Sequence, residues 1–333
     1  MFTKNIHFLL LLIIIFTTRF AFSDTRIDTL DGVMAKVHNR FQIFGTCYAN
    51  AAVDLFDSYR FNKKRDSFKR EFGSSLLVSI ITSLDKYKKK DVKFLLDWPS
   101  NYPETTNKRP FDGGRICKAL NTINKFGIYS YDSIEKRIFS ILKIKNNGSK
   151  EDEKKLEFFL LEELRLIYLN KDVTGLIKIF PDLSLPFAIS CLKGNSYLDF
   201  LSQLFMNIGK KIPFKGRKLY CREQKIFDEN RSNIKDFILQ RLSSKKMSPL
   251  AINYYSYPLN DNYIQIPGQK QGAHVASIVG KKVNRSGKIE ILIKNTSYTP
   301  VISKNLKHID KFHFWIELDL LLKYARRISY FEK

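Results

Sequence analysis

Residues 42–52 read Gln42-Ile43-Phe44-Gly45-Thr46-Cys47-Tyr48-Ala49-Asn50-Ala51-Ala52. Gly45 permits a tight backbone entry, and a helix is expected from Cys47 to about Phe61, with Ala51, Leu55 and Ser58 on one face. Far downstream stand Gly272-Ala273-His274-Val275 and Ile291-Leu292-Ile293-Lys294-Asn295. A nucleophile needs a base beside it and a third group to aim that base. Cys47 at a first helical turn would meet unpaired N–H groups and the positive end of the dipole, which favour a thiolate. His274 then serves as ion-pair partner and proton donor to the leaving amine. Asn295 holds the imidazole in plane. Gln42 offers a side-chain N–H to a developing oxyanion, beside the backbone N–H of Cys47.

The 333 residues are 44% hydrophobic and 27% charged, enough for one large core or two small ones. Lys4, the apolar run Phe8–Phe16 and Ala21-Phe22-Ser23 compose a secretory signal, with cleavage expected after Ser23 and a secreted or periplasmic product. The run is short of the roughly 20 residues a membrane span needs, and none like it follows. The formal charge of +24 fits an anionic partner such as an envelope polymer, or a compositional bias shared with abundant Lys, Ile, Asn, Phe and Tyr. Lys86-Tyr87-Lys88-Lys89-Lys90 comes with no nucleic-acid-binding motif, so no sequence-specific nucleic acid is expected. Of four cysteines, Cys191 and Cys221 are the expected disulfide, and Cys117 is expected as a small buried hydrophobe. No Cys-x-x-Cys and no spaced His pair supports a metal site.

The chain divides by period into an α+β layout: a signal at 1–23, a helical part at 24–131, a helical insertion at 132–245 and a β-rich part at 246–333. Helices are expected at 74–90, 115–126, 151–169, 197–208 and 233–242, with loops at 98–110 and 209–222. Strands are expected at 250–255, 275–279 and 288–294. The apolar face of Leu156, Phe159, Leu160 and Leu164 must bury against something.

Gly45-Thr46-Cys47-Tyr48-Ala49, the pair Gly113-Gly114, Leu250-Ala251-Ile252, His274 and Lys294-Asn295 together resemble the papain (C1-type) cysteine peptidase family. The resemblance covers about 24–131 and 246–333. It implies a papain-like two-part fold and catalysis by Cys47, His274 and Asn295, with Gln42 at the oxyanion. It also implies a cleft lined by Gly113, Gly114, Ala251 and Ala273. Phe44 and Phe111 stand where the family has bridged cysteines, and are expected to touch. Gln42 is five residues before Cys47 rather than six. The family's Trp after the Asn is missing, leaving Tyr298 or Trp315 to shield the His–Asn contact. The stretch from Cys47 to His274 exceeds the family's roughly 130–150 residues by the insertion.

The resemblance implies hydrolysis of peptides or proteins through a thioacyl intermediate, by a monomer without cofactor. Two other classes remain open: an idle domain binding peptide or envelope polymer, and a cell-wall amidase or transpeptidase. No pro-segment is recognised, so the insertion is expected beside the cleft as a lid or exosite.

Overall fold

The computed structural model describes residues 28–29, 46–63, 71–87, 114–145, 153–214, 218–243, 250–259, 273–296, 306–310 and 312–332. The signal segment, Gln42, Phe44, Phe111, Gly113, the loop at 98–110 and Tyr298 lie outside these residues, as do the side chains of Leu156 and Phe159.

Helices α1 (Cys47–Lys63), α2 (Ser75–Tyr87) and α3 (Ile116–Phe126) form the first part. A helical cluster follows: α4 (Glu135–Lys145), α5 (Glu153–Asn170), α6 (Val173–Ile179), α7 (Leu185–Leu192) and α8 (Tyr197–Ile208). Helix α9 (Arg231–Ser243) and helix α10 (Leu318–Tyr324) belong to the sheet region. The strands are β1 (Asp28–Thr29), β2 (Ile128–Tyr129), β3 (Lys211–Ile212), β4 (Tyr220–Lys225) and β5 (Leu250–Tyr255), then β6 (Ala273–Val283), β7 (Ile289–Lys294), β8 (Lys307–His308), β9 (His313–Glu317) and β10 (Ala325–Glu332). The fold is α+β. Its main sheet runs β4-β10-β5-β6-β7-β9-β8, with β1 added to β6, while β2 and β3 pair separately.

The two faces of the sheet follow the strand period of two. Ala251, Val275 and Phe331 pack with α1 and α3, whereas Leu250, Ile252, Ala276, Ile278 and Ile328 pack with α9 and α10. Helix α1 is buried from Cys47 through Ser58, lodged between α2, α3 and the sheet. Its small residues Ala49, Ala51 and Ala52 are strong helix formers and allow this close approach.

Leu160, Leu164, Leu201 and Phe205 of the cluster α4–α8 belong to one core with Leu77, Ile80 and Ile81 of α2, against which α8 packs. The cluster therefore shares the core of the first part. Among the described residues that line the cleft at Cys47, none comes from α4–α8.

Three further expectations need correction. The span 209–222 is not wholly loop, because β3 and β4 begin in it. Strand β4 hydrogen-bonds along β10 from Tyr220 opposite Glu332 to Lys225 opposite Arg327. Its polar sequence hides it: an edge strand has no continuous apolar face to betray it. Strands β9 and β10 likewise were not expected. Finally, the disulfide joins Cys117 to Cys221, and Cys191 is buried and free. Helix α3 packs against β4, which brings Cys117 and Cys221 together, whereas Cys191 lies in the cluster around α7 and α8.

The bridge closes a loop spanning 104 residues. Replacing both Cys117 and Cys221 by Ala is expected to lower stability by about 4–5 kcal/mol on chain-entropy grounds. The shift in denaturant midpoint at unchanged slope measures it.

Candidate active site

Helix α1 opens at Cys47, and the Thr46 carbonyl accepts from the backbone N–H groups of Ala49 and Asn50. No acidic residue sits in the first turn to offset the positive end of the helix. Beside Cys47 lies a cleft of about 530 Å³, whose lining includes Gly114, Asn253, Ala273, Val275 and Ser329. Gly114 has to be glycine: a Cβ there would overlap the ring of Tyr48, the residue after Cys47.

Strand β6 carries His274 between the cleft residues Ala273 and Val275. The imidazole is partly buried, and its Nε2 lies 2.6 Å from Oδ1 of Asn295. An amide oxygen only accepts, so Nε2 carries the proton and Nδ1 keeps the lone pair. Asn295 is buried just past the end of β7, and its backbone N–H donates to the Phe312 carbonyl at 2.6 Å. The structure thus brings two of the expected residues into contact, and Cys47 lines the cleft together with Ala273 and Val275 on either side of His274. Burial pushes the His274 imidazole down to about 4, partly countered by the bond to Asn295.

Other expectations change. Ala251 is fully buried under α1, and Asn253, two residues along on the same face of β5, lines the cleft instead. Trp315 packs with Val279 and Leu292 beneath the Lys282 ammonium, opposite Leu292 rather than at the end of β7 that carries Asn295. Among the described residues no cluster of His, Cys, Asp and Glu suits a metal ion, and no helix is long and apolar enough to cross a membrane.

Two supports had no sequence signal. Tyr254 stands opposite His274 in the β5–β6 register, with its ring edge-on to the imidazole at 5.7 Å. Burial, and then the nearby Cys47, raise its phenol above the ordinary value. Inside α1, the Asp54 carboxylate accepts from Lys294 Nζ at 2.9 and 3.0 Å and from Ser277 Oγ at 3.4 Å. Both ionic side chains are essentially inaccessible. Lys294 directly precedes Asn295, and Ser277 is three residues past His274.

No family model matches the chain, and no curated protein matches it in sequence. Among solved structures, the chain is similar to the proform of Amb a 11, a cysteine protease and major ragweed pollen allergen. That comparison has a TM-score of 0.41 and 12% identity, over 94% of this chain and 68% of the other. It is also similar to the bromelain protease from Ananas comosus bound to the inhibitor E64, with a TM-score of 0.40 and 12% identity, over 92% of this chain and 98% of the other. A third similar chain is PepW from Lactobacillus rhamnosis, with a TM-score of 0.46 and 12% identity, over 94% and 83%.

Asp54→Ala is expected to cost about 3–5 kcal/mol, because it strands the Lys294 ammonium in the core. Asp54→Leu combined with Lys294→Met should cost less than the single change, as denaturant titration will show.

His274 also makes stability depend on pH. Its folded value near 4 lies below the ordinary 6.5, so an unfolded chain takes the proton first. Stability contributed by the neutral ring is complete above 6.5 and falls as pH drops toward 4. Titrating the His274 ring by NMR in the Cys47→Ala protein should give a midpoint near 4. Asn295→Ala should lower it further.

Proposed function

We propose that the chain is a papain-like cysteine peptidase that cleaves peptide bonds through a thioacyl intermediate on Cys47. The observation that carries this reading is the 2.6 Å contact of His274 Nε2 with Asn295 Oδ1, made from the strand whose Ala273 and Val275 line the cleft with Cys47. The contact assigns the His274 proton to Nε2, which leaves Nδ1 to take the proton of Cys47.

In the acylation step Nδ1 accepts the thiol proton and the sulfur attacks the substrate carbonyl carbon. Negative charge collects on the carbonyl oxygen, where the backbone N–H of Cys47 and the side chain of Gln42 are proposed to donate. Collapse breaks the C–N bond while the imidazolium gives its proton to the leaving amine. A water molecule, deprotonated by Nδ1, then cleaves the thioester and restores the thiol. Asn295 keeps the ring oriented through both half-reactions. The Cys117–Cys221 bridge supports an oxidising compartment, in keeping with a secreted protein.

A thiol-reactive peptidyl epoxide, followed by peptide mapping, tests this reading. Cys47 is expected to carry the label. Cys191 should stay unlabelled, since burial and then Asp199 push its thiol up to about 12. His274→Ala should reduce peptide turnover by about 100-fold or more. Labelling at Cys47 that ignores the loss of His274, or no labelling there, would sink the reading.

A further inference from the structure

One wall of the cleft beside Cys47 carries charge. Arg115 and Lys118 flank the start of α3, and Arg326 and Arg327 open β10; all four line the cleft with Cys47. Among the described lining residues one carries a carboxylate. Glu223 on β4 lies 3.6 Å from the Arg327 guanidinium and accepts from the Cys117 N–H at 3.4 Å. It therefore offsets one cation and satisfies the helix start, while Arg115, Lys118 and Arg326 bring three further basic side chains to the lining.

This wall is also held in place. Cys117 sits between the lining residues Ile116 and Lys118, and its disulfide partner Cys221 is two residues before Glu223 on the same face of β4. The Arg326 guanidinium rests over the Tyr255 ring at 5.0 Å, which ties it to β5. A cleft lined mainly by one sign of charge on fixed elements favours a ligand of the other sign.

We infer that Arg115, Lys118, Arg326 and Arg327 make this cleft selective for substrates with an acidic side chain near the bond that is cut. The inference rests on the peptidase reading of the same site and names its substrate class. Arg326 and Arg327 present guanidinium groups, the fork that matches a carboxylate with two hydrogen bonds. A Lys or Arg side chain in the same place would meet like charge.

The test uses three fluorescent peptides of one composition, each with a single Glu at one of the three positions before the scissile bond, and their Gln and Lys counterparts. Binding is read by anisotropy on full-length Cys47→Ala protein, and turnover on the unmodified protein. At one position, Glu is expected to bind roughly tenfold tighter than Gln, the scale of a few partly screened ion pairs. Lys should bind weakest there. The three Glu peptides carry equal charge, so a preference for one position cannot come from the net charge of +24. Arg326→Gln with Arg327→Gln should remove most of the difference, and Arg326→Glu alone, on an exposed side chain, should shift preference toward Lys. Equal binding of Glu and Gln at every position overturns the inference. Glu-selective binding without turnover of any peptide would leave the selectivity standing and overturn the peptidase reading alone.

Discussion

One buried carboxylate touches all three elements that carry the candidate site. Asp54 lies two turns along α1 from Cys47 and meets Lys294 at the end of β7 and Ser277 on β6. Taking both charges of such a pair out of water costs several kcal/mol each, and their attraction offsets that only in good geometry. Sliding α1 along the sheet, or slipping β7 by one residue, would leave an unpaired charge in the core. The ion pair thus penalises any shift between the elements that carry Cys47, His274 and Asn295. Its role is registration more than net stability.

Around this pin the sheet divides its labour. Residues facing α1 include the small Ala251 beside Val275 and Phe331, and the buried helix lies against these strands with its first turn at the cleft. The opposite face carries Leu250, Ile252, Ile278 and Ile328 against α9 and α10. Strand β4 closes the far edge through β10, and the Cys117–Cys221 bridge returns that edge to α3. The cleft therefore lies between elements distant in sequence but cross-linked to each other, which suits a wall that has to hold several like charges at fixed positions.

Much was legible in the chain because it was local. The periodicity of 47–61, 197–208 and 250–255 reflects which side of each element meets the core, and the helices and strand appear there. The order of Cys47, His274 and Asn295 carried a chemical expectation that the geometry of His274 and Asn295 accommodates. What escaped was pairing. Cys221 is as good a partner for Cys191 as for Cys117 on paper, since spacing along the chain says nothing about which elements pack. Tyr220–Lys225 lacks an apolar face, so only its hydrogen bonds to β10 make it a strand. Lys294 read as half of a Lys-Asn motif, and its partner Asp54 is 240 residues away.

By itself, then, the sequence determined the α+β class, the helix that opens at Cys47 and the residue types able to supply a nucleophile, a base and an orienting amide. Periodicity and residue chemistry are properties of short stretches, and they survive without knowledge of the fold. The tertiary structure alone decided that Asn253 rather than Ala251 faces the cleft, that α4–α8 share the core of α2, and that Cys117 is bridged. It also gathered Arg115, Lys118, Arg326 and Arg327 onto one wall. Each of those outcomes is a contact between elements far apart in the chain. Long-range packing, strand register and buried charge choose such contacts, and none of the three leaves a mark on local sequence.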